Sequence, residues 1–485
     1  MKNKISDLQP QPLFNYFEQI CQVPRPSKKE EKIRKFLLDF ANANQLETKT
    51  DEAGNVLIRK PAVKGKENVQ TVILQTHMDM VCEKNSDKVF DFDNDAIEPF
   101  VEDGWVKANG TTLGADCGIG IAAQMAVLTS QNISHGPIEC LITVDEETGL
   151  TGANALQPDF LEGKILLNLD SEDEGEMFIG CAGGIDTLAT FQCEMLPVPT
   201  SSAAMRISVT GLTGGHSGDD IHKNRGNANK ILTRILLELA KEIDFELAVF
   251  DGGNLRNAIA REAFAIITVP ASQKEKTVAE FNIFAALIYN EFERNEPGLK
   301  LKISSNELPA SVIENSAKRK LLSALDGCPH GVLEMSTRME GMVETSTNLA
   351  SVKFTKPGEI VVTTSQRSEI ESRKIMAASM VESVFTLAGA VVEHSDGYPG
   401  WTPNPDSEIL KTVVKSYENL FGEKPVVRSI HAGLECGLFL EKYPHLDMVS
   451  FGPTIKGAHS PEERLDIETT QKFWKHLVDV LEKIK

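Results

Sequence analysis

At 485 residues the chain exceeds one ordinary hydrophobic core, so two domains are expected, with one inserted in the other. Fifty basic against 70 acidic residues leave a net charge of -20, which excludes an electrostatic surface for nucleic acid or for an anionic membrane. There is no apolar run of membrane-spanning length, and MKNKISDLQPQPLF lacks the pattern of a secretion signal, so a soluble cytoplasmic protein is expected. The eight cysteines are scattered with no CxxC pair, as free thiols would be, which disfavours a thiolate zinc site or a disulfide framework.

In chain order, Ser27 to Glu30 has capping-box spacing and opens an amphipathic run through Ile33, Phe36, Leu37 and Phe40, predicting a helix. NVLIRK follows as a strand, then a more buried strand over Val69 to Gln75. A helix from about Ile119 to Leu128, a strand from Ile138 to Val144 and a strand from Lys164 to Leu169 continue the alternation. Apolar strands alternating with helices imply an α/β sheet covered on both faces. From about Pro197 the strands become amphipathic (MRISVTG, AFAIITV) and alternate with helices over Lys274 to Arg294 and Glu371 to Leu387, as in a sheet with one open face. The end of the chain returns to the first style, closing with a helix from Ile467 to Ile484. The expected organisation is a catalytic domain from both chain ends, 1–187 and 398–485, with a second domain inserted over 188–397.

Five places set a metal-capable side chain at a strand end or helix start. VILQTHMDM puts His77 and Asp79 just past a buried strand, and a two-residue step in extended chain turns both side chains the same way. One can bind a metal while the other orients its imidazole. GTTLGADCGIGIA sets Asp116 at a helix start, where an ordinary N-cap would also stand. LITVDEETG ends a strand on Asp145, Glu146 and Glu147, three acids that repel one another unless a cation or hydrogen bonds compensate. LNLDSEDEGE places Asp170 at a strand end, with Glu172, Asp173 and Glu174 expected as a solvated loop. VSFGPTIKGAHSP puts His459 in a Gly/Pro loop after a short buried strand. Each motif alone has an ordinary structural explanation; together they lie where an α/β sheet binds its ligands, beyond the carboxyl ends of strands. The nitrogen and oxygen donors suit zinc, cobalt or manganese, and a bridging carboxylate could hold two metals about 3.5 to 4 Å apart.

At these residues the sequence resembles the di-zinc aminopeptidase, carboxypeptidase and deacylase family that includes aminoacylases and desuccinylases. HMDMV, CAGGID, GGHSGDDIH, NAIAREAF, HAGLECG and GPTIKGAHSP are most similar to its bacterial aminoacyl-histidine dipeptidases. The resemblance spans essentially the whole chain. It implies a three-layer α/β catalytic domain with an inserted α+β lid and dimerisation domain, and a homodimer. It also implies two zinc ions, with cobalt or manganese able to substitute: His77, Asp116 and Asp170 at one, and Asp116, Glu147 and His459 at the other. Glu146 is then the base that takes a proton from metal-activated water, Asp79 orients His77, and the bond after Asp116 is cis. His216 is implied to stabilise the oxyanion across a dimer interface, with Asn257 and Arg367 contacting the substrate carboxylate.

The ordinary alternatives are a turn residue for His216 and a helix-start surface arginine for Arg367. His222, Arg261 and Glu435 stay unassigned, while His135, His330, His394, His445 and His476 read as ordinary. Cys117 replaces a residue that is polar in many relatives, and its acidic neighbour argues against a nucleophilic thiolate. The expected activity is hydrolysis of unblocked dipeptides, preferring C-terminal histidine and including β-alanyl-histidine. A tripeptidase or an N-acyl amino acid amidohydrolase would keep the same metal core. A binding protein that had lost its chemistry would lack a ligand or the base, and this sequence retains all six.

Overall fold

The structure, a computed structural model, describes residues 4–485. The described residues divide into two compact units, one made of 4–180, 403–429 and 434–485 and the other of 181–402 and 430–433.

The first unit is built on an eight-stranded sheet. Its order is Glu47–Thr50, Val56–Lys60, Ile138–Thr143, Val72–His77, Ile165–Asn168, Asp447–Ser450, Glu176–Cys181 and Val426–Ile430. The four strands from Ile138–Thr143 to Asp447–Ser450 run parallel, so their carboxyl ends share one edge of the sheet. Every residue of Val72–His77 and Ile138–Thr143 is buried, as strands covered on both faces require. The helix Ala115–Thr129 is apolar nearly all round, with Asp116 and Cys117 departing from helical geometry in its first turn. A smaller sheet pairs Ile455–Lys456 with Arg464–Asp466 and Arg464–Asp466 with Trp105–Ala108, which makes 457–463 a hairpin loop.

The second unit holds a nine-stranded antiparallel sheet with the helices Ala228–Glu242, Lys274–Phe292, Asn315–Gly327 and Glu371–Leu387. In Ser202–Thr210 the alternate residues Met205, Ile207 and Val209 are buried in its core, whereas Arg206, Ser208 and Thr210 are only partly covered. That alternation is the signature of a sheet with one covered face.

Two expectations need correction. The division falls at 180/181 and 402/403, not at 187/188 and 397/398, because Gly183–Gln192 is a full strand of the second sheet, paired with Glu359–Ser368. Ser27 and Glu30 form no capping box: the helix begins at Glu31 with no side-chain cap. Their side chains work elsewhere, Ser27 Oγ donating to Asp79 Oδ2 at 2.8 Å and Glu30 Oε1 accepting the amide of Asp145 at 3.1 Å.

Candidate metal centre

Adjacent parallel strands deliver most of the predicted residues. His77 ends Val72–His77; Glu146 and Glu147 follow Ile138–Thr143; Asp170 follows Ile165–Asn168; the hairpin with His459 follows Asp447–Ser450. Asp116 enters from the start of its helix, and the Asp116–Cys117 peptide is cis. The ligand atoms of His77, Asp116, Cys117 and Asp170 lie within 4.8 Å of one another, as do those of Asp116, Glu147 and His459.

Asp116 belongs to both groups. Its Oδ1 stands 3.1 Å from His77 Nε2, which is 3.2 Å from Asp170 Oδ1. Its Oδ2 stands 3.3 Å from His459 Nε2, which is 3.0 Å from Glu147 Oε2. Behind them, the fully buried Asp79 accepts from His77 Nδ1 at 3.2 Å and from the amides of Glu146 and Glu147 at 3.0 and 3.3 Å. Asp79 fixes a proton on His77 Nδ1, so Nε2, which faces Asp116 and Asp170, is the nitrogen left for a cation to take.

The electrostatics describe a cage short of positive charge. Burial alone would strip His77 of its proton, yet Asp170, Asp116 and Asp79 hold its pKa well above the ordinary value. Hydrogen bonds to Asp116 and Glu147 push His459 up to about 11. Burial raises Asp170 to about 6 and lifts Glu146 well above its usual range, with neighbouring acids adding to the effect. Glu147 Oε1 and Asp170 Oδ1 are buried without a well-formed hydrogen bond among the described residues. Orphaned carboxylate oxygens beside two imidazoles fit a borderline-hard divalent cation.

Cys117 is buried, its Sγ donating to Leu169 O at 3.4 Å, and burial with Asp170 raises its pKa far above the ordinary thiol value. It is a neutral thiol beside the candidate ligands. Asp145, the third acid of the cluster, is buried and bonded to Thr148 and Thr151, a structural member.

Two further acids stand in surroundings that the sequence does not reveal. Glu172 is half-buried, and burial together with Asp116 raises it to about 8; Asp173 pairs with Lys456 at 2.6 Å and Glu174 accepts from Tyr417 at 2.6 Å. The expected solvated loop is therefore a tied one. Glu435, left unassigned, is buried and accepts from Gln75 Nε2 at 2.6 Å and Thr143 Oγ1 at 2.8 Å, with burial raising it to about 8. Its signal was an acid in HAGLECG, a stretch with no apolar strand immediately before the acid to mark it.

The second unit carries His216, Asn257 and Arg367. His216 Nδ1 accepts from the amides of Gly218 and Asp219 at 3.2 Å each, so a neutral ring keeps its proton on Nε2. Asn257 is exposed, and its carbonyl accepts the amide of Ser217 at 2.8 Å, which brings its loop beside His216. Arg367 is no surface arginine: it is buried in Glu359–Ser368 and donates to Tyr398 Oη at 2.8 Å.

A carboxylate shared between two imidazole-bearing ligand groups, at the carboxyl edge of a parallel sheet, is the architecture of a metallohydrolase. The chain matches the model of peptidase family M20/M25/M40 over residues 73–483 and belongs to that family; it is an enzyme that hydrolyses peptide bonds. It is 43% identical over 482 residues, 99% of each chain, to the cytosol non-specific dipeptidase of Escherichia coli (strain K12). It is also similar to the crystal structure of aminoacylhistidine dipeptidase from Vibrio alginolyticus, with a TM-score of 0.93 and 46% identity, covering 100% of this chain and 98% of that one. The aminopeptidase PepT of Bacillus cereus, at 18% identity and a TM-score of 0.58 with 98% and 99% of the two chains covered, shares the fold.

Proposed function

We propose that the protein hydrolyses unblocked dipeptides, preferring C-terminal histidine and including β-alanyl-histidine, with two divalent cations held in the cage. The observation that carries this reading is Asp116, whose two oxygens lie 3.1 and 3.3 Å from the imidazoles of His77 and His459. His77, Asp116 and Asp170 would hold one cation, and Asp116, Glu147 and His459 the other. Bound there, zinc, or cobalt or manganese in its place, supplies Lewis acidity toward the peptide carbonyl and makes water acidic enough to attack.

The chain's own residues do the rest. Glu146, whose backbone amide is anchored on Asp79, takes one proton from the attacking water as the new C–O bond forms. It then gives that proton to the amine nitrogen as the C–N bond breaks. Burial raises its proton affinity, as a base working near neutral pH requires. Asp79 fixes the His77 tautomer. For His216, Asn257 and Arg367 the substrate roles implied by the resemblance stand as part of this proposal, supported by an Nε2 proton on His216 free to donate.

Full-length identity to a relative named a dipeptidase supports the substrate class. One relative is named non-specific and the other is named for aminoacylhistidine, so the histidine preference rests on the residue-level resemblance. A cytoplasmic location and a homodimer belong to the same proposal. The Escherichia coli relative is named cytosolic, and among the described residues no helix is long and apolar enough to cross a membrane.

The test is a substrate panel on the zinc-loaded protein: β-alanyl-histidine, other Xaa-His and unrelated dipeptides, tripeptides and N-acetyl amino acids. Dipeptides should have the highest kcat/KM, with Xaa-His first among them. Faster turnover of tripeptides or acetylated substrates sinks the dipeptidase reading.

A further inference from the structure

Glu463 lies only four residues past His459, and its carboxylate turns away to a distant loop. Oε2 accepts the amides of Leu113 at 2.7 Å and Gly114 at 2.9 Å, while Oε1 accepts the amide of Ala115 at 2.7 Å. The side chain is buried, so three backbone donors replace the water a carboxylate would otherwise keep. The next residue after the last gripped amide is Asp116, which both ligand groups share. Glu463 itself stands immediately before the strand Arg464–Asp466, at the closing end of the hairpin that carries His459.

The opposite side of the same loop is held by Arg25, also buried. Its guanidinium donates to the carbonyl of Gly114, to that of Asp79 at 2.9 Å and to that of Met78 at 3.3 Å. The loop is thus tied by its amides to the His459 hairpin and by a carbonyl to the segment leaving His77. Gly114 makes the double grip possible: it sits at φ 68°, and a Cβ there would run into Arg25 and Met80.

We propose that Glu463 is a positioning residue of the metal centre, with Arg25 as its counterpart: the two clamp the Leu113–Ala115 loop so that Asp116 is fixed between His77 and His459 before any cation arrives. The inference rests on the two-cation reading above. It adds that ordering of the bridging ligand is accomplished by folding, so cation binding need not supply it.

The experiment is zinc titration of metal-free protein by calorimetry, comparing wild type with Glu463→Gln, Glu463→Asp and Asp116→Ala. A glutamine at 463 keeps one acceptor oxygen and sets an N–H group against backbone N–H donors. Outer partners of metal ligands typically matter by about 10- to 100-fold in affinity, and a loss in that range is expected for both Glu463 variants. Their turnover should recover in excess zinc with KM for dipeptide unchanged, a rescue that general loosening of the fold would not give. Wild-type zinc affinity in Glu463→Gln and Glu463→Asp, with affinity lost in Asp116→Ala, overturns the positioning role alone. Wild-type affinity in Asp116→Ala overturns the two-cation reading itself. Should neither Glu463 variant fold, hydrogen exchange of the metal-free wild type decides: amides 113–115 should be as protected as those of Val72–His77, and rapid exchange there refutes the clamp.

Discussion

Replacing Asp79 with asparagine changes one atom and should disable the site. Each carboxylate oxygen accepts two hydrogen bonds, Oδ1 from His77 Nδ1 and the Glu146 amide, Oδ2 from Ser27 Oγ and the Glu147 amide. Whichever oxygen becomes an NH2 group, a backbone amide, that of Glu146 or of Glu147, then faces a donor, and His77 Nδ1 or Ser27 Oγ can stay bonded only by turning acceptor. Despite burial, His77 and the other donors bring the Asp79 pKa down from 3.8 to about 2, a difference worth roughly 2 kcal/mol. Two hydrogen bonds to a charged acceptor give an upper figure of roughly 5 kcal/mol. Because the folded value lies below the unfolded one, this stabilisation is present above pH 3.8 and is lost as the pH falls through about 2. At neutral pH, Asp79→Asn should therefore unfold at lower denaturant by roughly 2 to 5 kcal/mol. Its zinc affinity should fall by about 10- to 100-fold, since His77 can then turn its N–H toward the ligand site. Urea unfolding of the metal-free protein and zinc titration measure the two effects. Wild-type zinc affinity with full turnover in Asp79→Asn would refute the tautomer argument.

Glu146→Gln should retain zinc and lose about 10²- to 10⁴-fold in kcat, whereas Glu147→Ala should lose zinc from one site; activity in Glu146→Gln removes it as the base. His476 donates from Nε2 to Val413 O at 2.9 Å, and burial lowers its pKa from 6.5 to about 4. The unfolded chain therefore takes up that proton first, so the His476 contribution to stability should decline as pH drops from 6.5 toward about 4; unfolding free energies of wild type minus those of His476→Gln, measured across that range, should fall accordingly. Burial pushes Cys21 and Cys328 up to about 12, so mass spectrometry after iodoacetamide treatment at neutral pH should find both unlabelled in the folded protein and labelled after denaturation.

What was legible in the sequence were groups marked by their immediate neighbours. His77, Glu147 and Asp170 each follow an apolar run that can only be a buried strand, so local pattern alone aims them at the sheet's carboxyl edge. What escaped was set by partners far along the chain. Glu463 meets amides nearly 350 residues away, and nothing in PEERLD marks it apart from Glu462, which is exposed. Ser27 and Glu30 mislead for the converse reason: their spacing satisfies a local rule, but their side chains bond to Asp79 and to the Asp145 amide instead. Glu172 looked solvated because it stands among other acids, and only the folded loop shows it drawn toward Asp116.

The strand Asp447–Ser450 occupies an interior place in its sheet, between Ile165–Asn168 and Glu176–Cys181, although it is made hundreds of residues later. During synthesis those two earlier strands must wait with open edges, a hazard for pairing with other chains. The second unit is almost entirely one continuous stretch, 181–402, and can reach its own contacts while they wait. The last insertion joins the sheet and brings the His459 hairpin with it, so a chain cut short before Asp447 lacks both the strand that closes those edges and the proposed ligand that completes the cage.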